Sequence, residues 1–336
     1  MEKTIRLLGV LLAAQLVLAA GLLYAGRSGG GKEAGDARPL LEFEAASVDR
    51  ISIDGPDGEQ VTLTRIDGAW QVPAPGGEFP ADASRVEGLL ASLGKLERGP
   101  AVATTEGARE RFEVAEDNFQ RRIVLASGGE ELARLYVGTS PVMRKVHARD
   151  AQEDEIHLVG FAAYDAPTRA QDWQDKDVLK LEADRIVAVE VGGLRLTRLT
   201  PPPATEDAEG VTKPAAAPAS ASLTGWRATG LAEGETLEQN GVDRLVSLVS
   251  GLRIGEVLGR EEQPGYGLAE PALILRVELA DGGSREYRFG KERDKEAYVL
   301  KASSRPEYFG LAYFTANPIV EAARRESLVG AAGNGG

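Results

Sequence analysis

Apolar and polar residues alternate in the same arrangement at two places along this chain. Phe112–Gly138 reads FEVAEDNFQRRIVLASGGEELARLYVG, and Tyr266–Gly290 reads YGLAEPALILRVELADGGSREYRFG. Each is an extended alternating run, a Gly-Gly turn and a second run ending in glycine, which predicts a β-hairpin. Val114-Ala115-Glu116 answers Leu268-Ala269-Glu270, and Gly128-Gly129 answers Gly282-Gly283. In the later hairpin Leu273, Leu275, Val277 and Leu279 fall on one face and Ile274, Arg276 and Glu278 on the other. That pattern predicts one buried and one wet face. The corresponding inward set of the earlier hairpin is Phe119, Arg121, Ile123 and Leu125. Arg121 breaks it, and its long stem suits snorkelling to an edge or a local shift of register.

The flanking pattern repeats as well. Asp49-Arg50-Ile51 and Gln60–Ile66 predict paired strands, answered later by Asp184-Arg185-Ile186 and Leu194–Leu199. A strand carrying Trp70 follows the first pair and a strand carrying Trp226 follows the second, while Pro73–Pro80 reads as a loop. Asp82 is placed to cap a helix with an apolar stripe of Val86, Leu89, Leu90, Leu93 and Leu96. Its counterpart is Gln239–Leu252, with Val242, Leu245, Val246 and Val249. Short strands at 144–149, 155–159, 296–302 and 307–311 complete the two sets, and Thr315–Leu328 reads as a closing helix. The expected fold is therefore α+β: two tandem repeats of antiparallel sheet with one principal helix each, over residues 40–177 and 181–328. Pro201–Ser222 falls between two paired strands of the second repeat, so it is read as a disordered Pro/Ala insertion and not as the interdomain linker. Residues 329–336 read as a flexible tail.

Ahead of the repeats, Leu7–Ala25 is apolar except for Gln15 and follows Lys3 and Arg6. Its length matches the hydrocarbon thickness of a bilayer. Residues 1–26 are read as an uncleaved signal anchor, a transmembrane helix with the N-terminus inside and the body outside the cytoplasm. Residues 27–39 form a Gly-rich spacer. Within the chain's start, Gly26–Lys32 imitates a phosphate-binding loop but has Glu33 where a Ser or Thr is needed, and no strand precedes it.

Composition narrows the function. Of 336 residues, 52 are acidic and 39 basic, for a net charge of −13. With no basic run longer than a pair, a nucleic-acid partner is disfavoured. Cysteine is absent, which excludes disulfides, thiolate metal sites, cysteine nucleophiles and a lipidated cysteine. Asp172, Asp175, Asp177 and Glu182 are the densest acidic cluster, but they lack the spacing of a calcium loop and read as a solvated chain segment. His147 and His157 lie on neighbouring predicted strands, where a shared metal is conceivable. The second repeat places Tyr298 and Tyr308 or Phe309 around those positions, which suits packing better. Trp70 and Trp226 follow turns at equivalent places and read as sheet-packing residues. No nucleophile elbow, zinc-protease helix or dinucleotide fingerprint is present. The expectation is no catalytic, cofactor or metal residues and no cofactor.

The body also resembles the domain-of-unknown-function family numbered 4340, over roughly residues 40–315. The resembling residues are Asp67-Gly68-Ala69-Trp70, Phe112-Glu113-Val114, Gly138-Thr139-Ser140, Val146-His147-Ala148-Arg149, Ile156-His157-Leu158-Val159 and Asp172-Trp173-Gln174-Asp175-Lys176. The Pro/Ala insertion departs from the family's compact pattern. The resemblance implies a bacterial envelope protein anchored in the cytoplasmic membrane. It also implies a partner of the multidrug-type or gliding-type ABC transporter class, such as its permease, and brings no catalytic residues. The expected function is a non-enzymatic envelope accessory protein. Its rivals are a module binding envelope carbohydrate or peptide, which an exposed aromatic patch would favour, and a hydrolase built on two carboxylates.

Overall fold

A computed structural model describes residues 38–199, 225–292 and 296–331. The Leu7–Ala25 run, the Gly26–Lys32 loop and the Pro201–Ser222 insertion lie outside them. Among the described residues no helix is long and apolar enough to cross a membrane.

Strands β1 (Arg50–Asp54), β2 (Gln60–Ile66), β3 (Ala69–Ala74), β4 (Gly77–Pro80), β5 (Ala101–Ala103), β6 (Arg121–Ser127), β7 (Glu130–Val137), β8 (Val146–Asp150) and β9 (Ile156–Val159) form one sheet, in the order β4-β3-β2-β1-β6-β7-β8-β9-β5. Strands β10 (Ile186–Val191), β11 (Leu194–Arg198), β12 (Trp226–Thr229), β14 (Glu256–Gly259), β15 (Leu273–Leu279), β16 (Ser284–Lys291), β17 (Ala297–Ala302) and β18 (Tyr308–Ala312) form the second, in the order β12-β11-β10-β15-β16-β17-β18-β14. Neighbours in both sheets pair antiparallel. From β3 to β5 the first order matches the second from β12 to β14, strand for strand. The odd pieces are β4 at the edge of the first sheet and β13 (Glu235–Leu237), which pairs instead with β19 (Val329–Ala331).

Each sheet packs a helix on one face. Helix α1 (Ala83–Gly94) is capped by the Asp82 carboxylate, which accepts from the Arg85 amide at 3.1 Å. It buries Val86, Leu89, Leu90 and Leu93 over the first sheet. Helix α3 (Gln239–Ser250) does the same on the second with Val242, Leu245, Val246 and Val249. Between them in sequence, α2 (Glu106–Arg111) and residues 112–119 cover the far face of β7–β9.

Several expectations need correction. Pro73–Pro80 is not a loop: β3 and β4 pair across it, Val72 opposite Phe79, because proline is tolerated on the edge strand where Pro80 sits. The first sheet has no fully wet face, since all five residues of β8 are buried between α1 on one side and the α2 segment on the other. Phe119 is not in the inward set; it bridges Val114 ahead of β6 and its ring lies 5.9 Å from Tyr136 on the far face. Arg121 does not snorkel to a sheet edge: it is half-buried on the central strand β6 and donates to the carbonyl of the buried Ala166 at 2.9 Å. The closing helix is two, α4 (Tyr313–Ala322) and α5 (Arg325–Leu328), broken where Arg324 turns extended. Val329–Ala331, read as tail, is the strand β19.

The halves are joined by more than the connecting chain. Phe79, fully buried, belongs to the core of the second sheet, edge-on to Phe309 with ring centres 6.1 Å apart and beneath the Arg305 guanidinium. The connector binds both sides: the Asp175 amide donates to Pro80, the Leu181 amide to Ser250, and Lys176 Nζ to Gly255 at 2.6 Å.

β11 and β12 flank the Pro/Ala insertion and pair directly, Arg198 opposite Trp226. Replacing residues 201–222 by an Asp-Gly turn is therefore expected to leave the thermal midpoint within a few degrees in a melting experiment. Loss of cooperative melting in that variant would show that the segment is structural.

Candidate functional site

Strands β8 and β9 carry both histidines of the chain. In register, His147 stands opposite Leu158 and Ala148 opposite His157. Opposed residues share a face and successive residues alternate, so the two imidazoles project to opposite faces of the sheet. No metal can be shared between them.

On the α2 side, His147 Nδ1 lies 2.9 Å from the Thr139 hydroxyl and 3.1 Å from its carbonyl oxygen, and the ring stacks on Phe112 at 4.1 Å. The same face holds Arg149, 2% exposed and opposite Tyr136, whose ring centre is 4.7 Å from the guanidinium carbon. Arg149 donates to the carbonyls of Val114 at 2.9 Å and Glu153 at 3.1 Å. Burial lowers its pKa from the ordinary guanidinium value, yet an arginine stays charged at neutral pH. Its work is to tie residues 112–119 to the β8–β9 turn.

On the α1 side, His157 is 2% exposed and its Nδ1 lies 2.8 Å from the Gly99 carbonyl oxygen. A carbonyl only accepts, so Nδ1 carries the proton and a neutral ring leaves its lone pair on Nε2. That Nε2 is buried without a hydrogen-bond partner, 3.5 Å from a Glu155 carboxylate oxygen. Glu153 pairs one oxygen with Arg98, while its Oε2 is also buried and unpartnered. Donor atoms of Glu153, Glu155 and His157 all lie within 4.8 Å of one another.

Of the connector's acids, Asp172 and Asp175 are half-buried and Asp177 is exposed, each with a neighbour. Asp172 pairs with Arg169 at 3.1 Å, Asp175 accepts from the Asp177 amide at 2.8 Å, and Asp177 pairs with Arg253 at 2.8 Å. Glu182 is exposed ahead of a short 3₁₀ turn. Trp70 and Trp226 are packing residues of the two sheets, each 3% exposed and each opposite an arginine on the neighbouring strand. Arg65 lies 5.1 Å over Trp70 and Arg198 4.5 Å over Trp226.

A cleft of about 730 Å³ opens between the β15–β16–β17 surface and α4. Tyr298 and Tyr313 line it with ring centres 6.2 Å apart, and the Tyr298 hydroxyl donates to Asn317 at 3.1 Å. Burial raises the Tyr298 phenol's pKa. At its rim Ile274 is 47%, Tyr313 41% and the adjoining Phe314 80% exposed.

The family model for a domain of unknown function, DUF4340, matches residues 70–271, more than half of the chain. The chain belongs to the DUF4340 family. The match starts at Trp70 and runs across the junction between the sheets to Pro271, just before β15. No curated protein and no solved structure matches the chain. In this DUF4340 chain, sequence reasoning singled out His157 and passed over Glu153 and Glu155 beside it. The signal was there: Glu153-Asp154-Glu155-Ile156-His157 puts ligand-type residues at alternate positions, which an extended chain turns to one side.

Proposed function

We propose that this chain is a non-enzymatic accessory protein of the cell envelope. It is anchored through Leu7–Ala25 with its body outside the cytoplasm, and it docks on a membrane complex of the ABC-transporter or gliding type. In this reading the two sheets are copies of one unit, as their matching strand orders suggest, and the second copy presents the docking surface. The observation that carries the proposal is the pair Ile274 and Tyr313, apolar side chains part-open to solvent where they line the cleft, with the exposed Phe314 next to Tyr313 in sequence. Exposed apolar groups clustered beside a cleft are what a partner surface needs. Local concentration at the membrane would then make a modest interface sufficient.

A photocrosslinker placed at Phe314 in membranes tests this. It is expected to capture a transporter permease, and Phe314→Asp to reduce capture at least several-fold with an unchanged thermal midpoint. Undiminished capture by Phe314→Asp would remove this surface from the interface. A soluble exported body that works as well as the anchored one would sink the docking reading itself.

The same cleft supports a second reading, binding of an envelope carbohydrate or peptide, since Tyr298, Tyr313 and Asn317 offer stacking and hydrogen bonding together. Titration with cell-wall oligosaccharides or peptides separates the two. A two-carboxylate hydrolase gains no support there: among the described lining residues the cleft has one carboxylate, Glu321, which pairs with Arg324 at 2.9 Å.

A further inference from the structure

Two lone-pair groups that face each other repel unless something positive lies between them. With Nδ1 already committed to the Gly99 carbonyl oxygen, a neutral His157 would put its Nε2 lone pair in that relation to the Glu155 carboxylate at 3.5 Å. An orphaned imidazole nitrogen on a ring only 2% exposed is costly, as is the orphaned Glu153 Oε2 beside it. One cation would satisfy both.

We infer that Glu153, Glu155 and His157 form a site for a zinc-class divalent transition cation. The chemistry selects the class. An imidazole nitrogen favours zinc and its neighbours over calcium or magnesium, which prefer all-oxygen sites. Ligands about 2.0–2.2 Å from a tetrahedral zinc lie roughly 3.3–3.5 Å from each other, close to the spacing of His157 Nε2 and the Glu155 oxygen. The Nδ1–H donated to a backbone carbonyl is the outer hydrogen bond that orients a metal-binding imidazole. Two carboxylates balance the double charge, and Arg98 fixes one of them. The Glu155 side chain is 53% exposed, which gives the ion a route in and room for water as fourth ligand. The ion would pin the β8–β9 turn to the Arg98–Gly99 segment that leads into β5. Its role is structural and independent of the docking surface on the other half.

The test uses the full-length chain, untagged and in detergent, stripped with chelator and titrated with zinc chloride by calorimetry. One equivalent is expected to bind and to raise the thermal midpoint. Glu155→Gln, at a half-exposed position, should still fold and should weaken zinc at least about tenfold, since outer-shell losses alone reach 10–100-fold. The chain has two histidines, so imidazole ¹⁵N spectra resolve both. Zinc should move the His157 Nε2 signal and leave His147 in place. The inference is overturned if the His157 nitrogens do not move, if Glu155→Gln and Glu153→Gln bind zinc as the parent does, or if calcium binds as well as zinc.

Discussion

Gly138→Ala is expected to abolish folding or to cost several kcal/mol, at the extreme end of single substitutions, and Gly290→Ala to do the same. A Cβ on Gly138 would overlap the Phe112 carbonyl oxygen and stand 2.6 Å from that of Glu113. On Gly290 it would overlap the Tyr266 carbonyl oxygen and stand 2.8 Å from the Gly267 carbonyl carbon. In both halves the segment leading into the central hairpin crosses over the end of the returning strand, backbone against backbone. Only a residue without a side chain admits that crossing. The lead-in takes the same left-handed turn in both, φ +56° at Glu113 and +69° at Gly267, at a steric cost only at Glu113. Gly160→Ala is the control, since a Cβ there meets nothing within 4 Å and the backbone is ordinary. Thermal melts of the three variants decide the matter: near-parental melting of Gly138→Ala or Gly290→Ala would contradict the crossing.

Phe79→Ala should lower stability by about 3–5 kcal/mol, the usual cost of emptying a buried aromatic site, and so lower the melting midpoint by roughly 10 °C. The side chain is fully buried and sits in the core of the half to which it does not belong by sequence. The loss should therefore appear as earlier opening of the second half, read by hydrogen exchange at Leu300 and Phe309, whose strands β17 and β18 flank the vacated site. Phe79→Leu keeps most of the volume and should cost much less. Equal protection of both strands in Phe79→Ala and the parent would show that the halves are energetically separate.

Much of this fold was legible because several signals agreed at each place. The Gly-Gly turns, the Asp82 cap and the apolar stripes of α1 and α3 are local, and local chemistry is what a sequence displays. The repeat made them mutually confirming, and it placed Pro201–Ser222 between paired strands against the lure of its composition. What stayed hidden depended on distant partners. Pro73, Pro75 and Pro80 read as a loop because nothing nearby reveals that this hairpin projects into another core. The α2 segment is too short to show a stripe, so the covering of β8, and with it the burial of Arg149, left no trace. Glu153 and Glu155 drew no notice because the imidazole that faces them is fixed by Gly99, brought from far along the chain.

The placement of Phe79 also has a consequence in time. Chains are made from the N-terminus, at about 5–20 residues per second, so Phe309 follows Phe79 by about 10–50 s. Once Val159 has been made, the first sheet has all of its own strands while the hairpin tip still has no apolar partner. A folded half with one bare aromatic edge is an intermediate that molecular chaperones recognise and that aggregation exploits. The second half thus serves the first as a cover that arrives late.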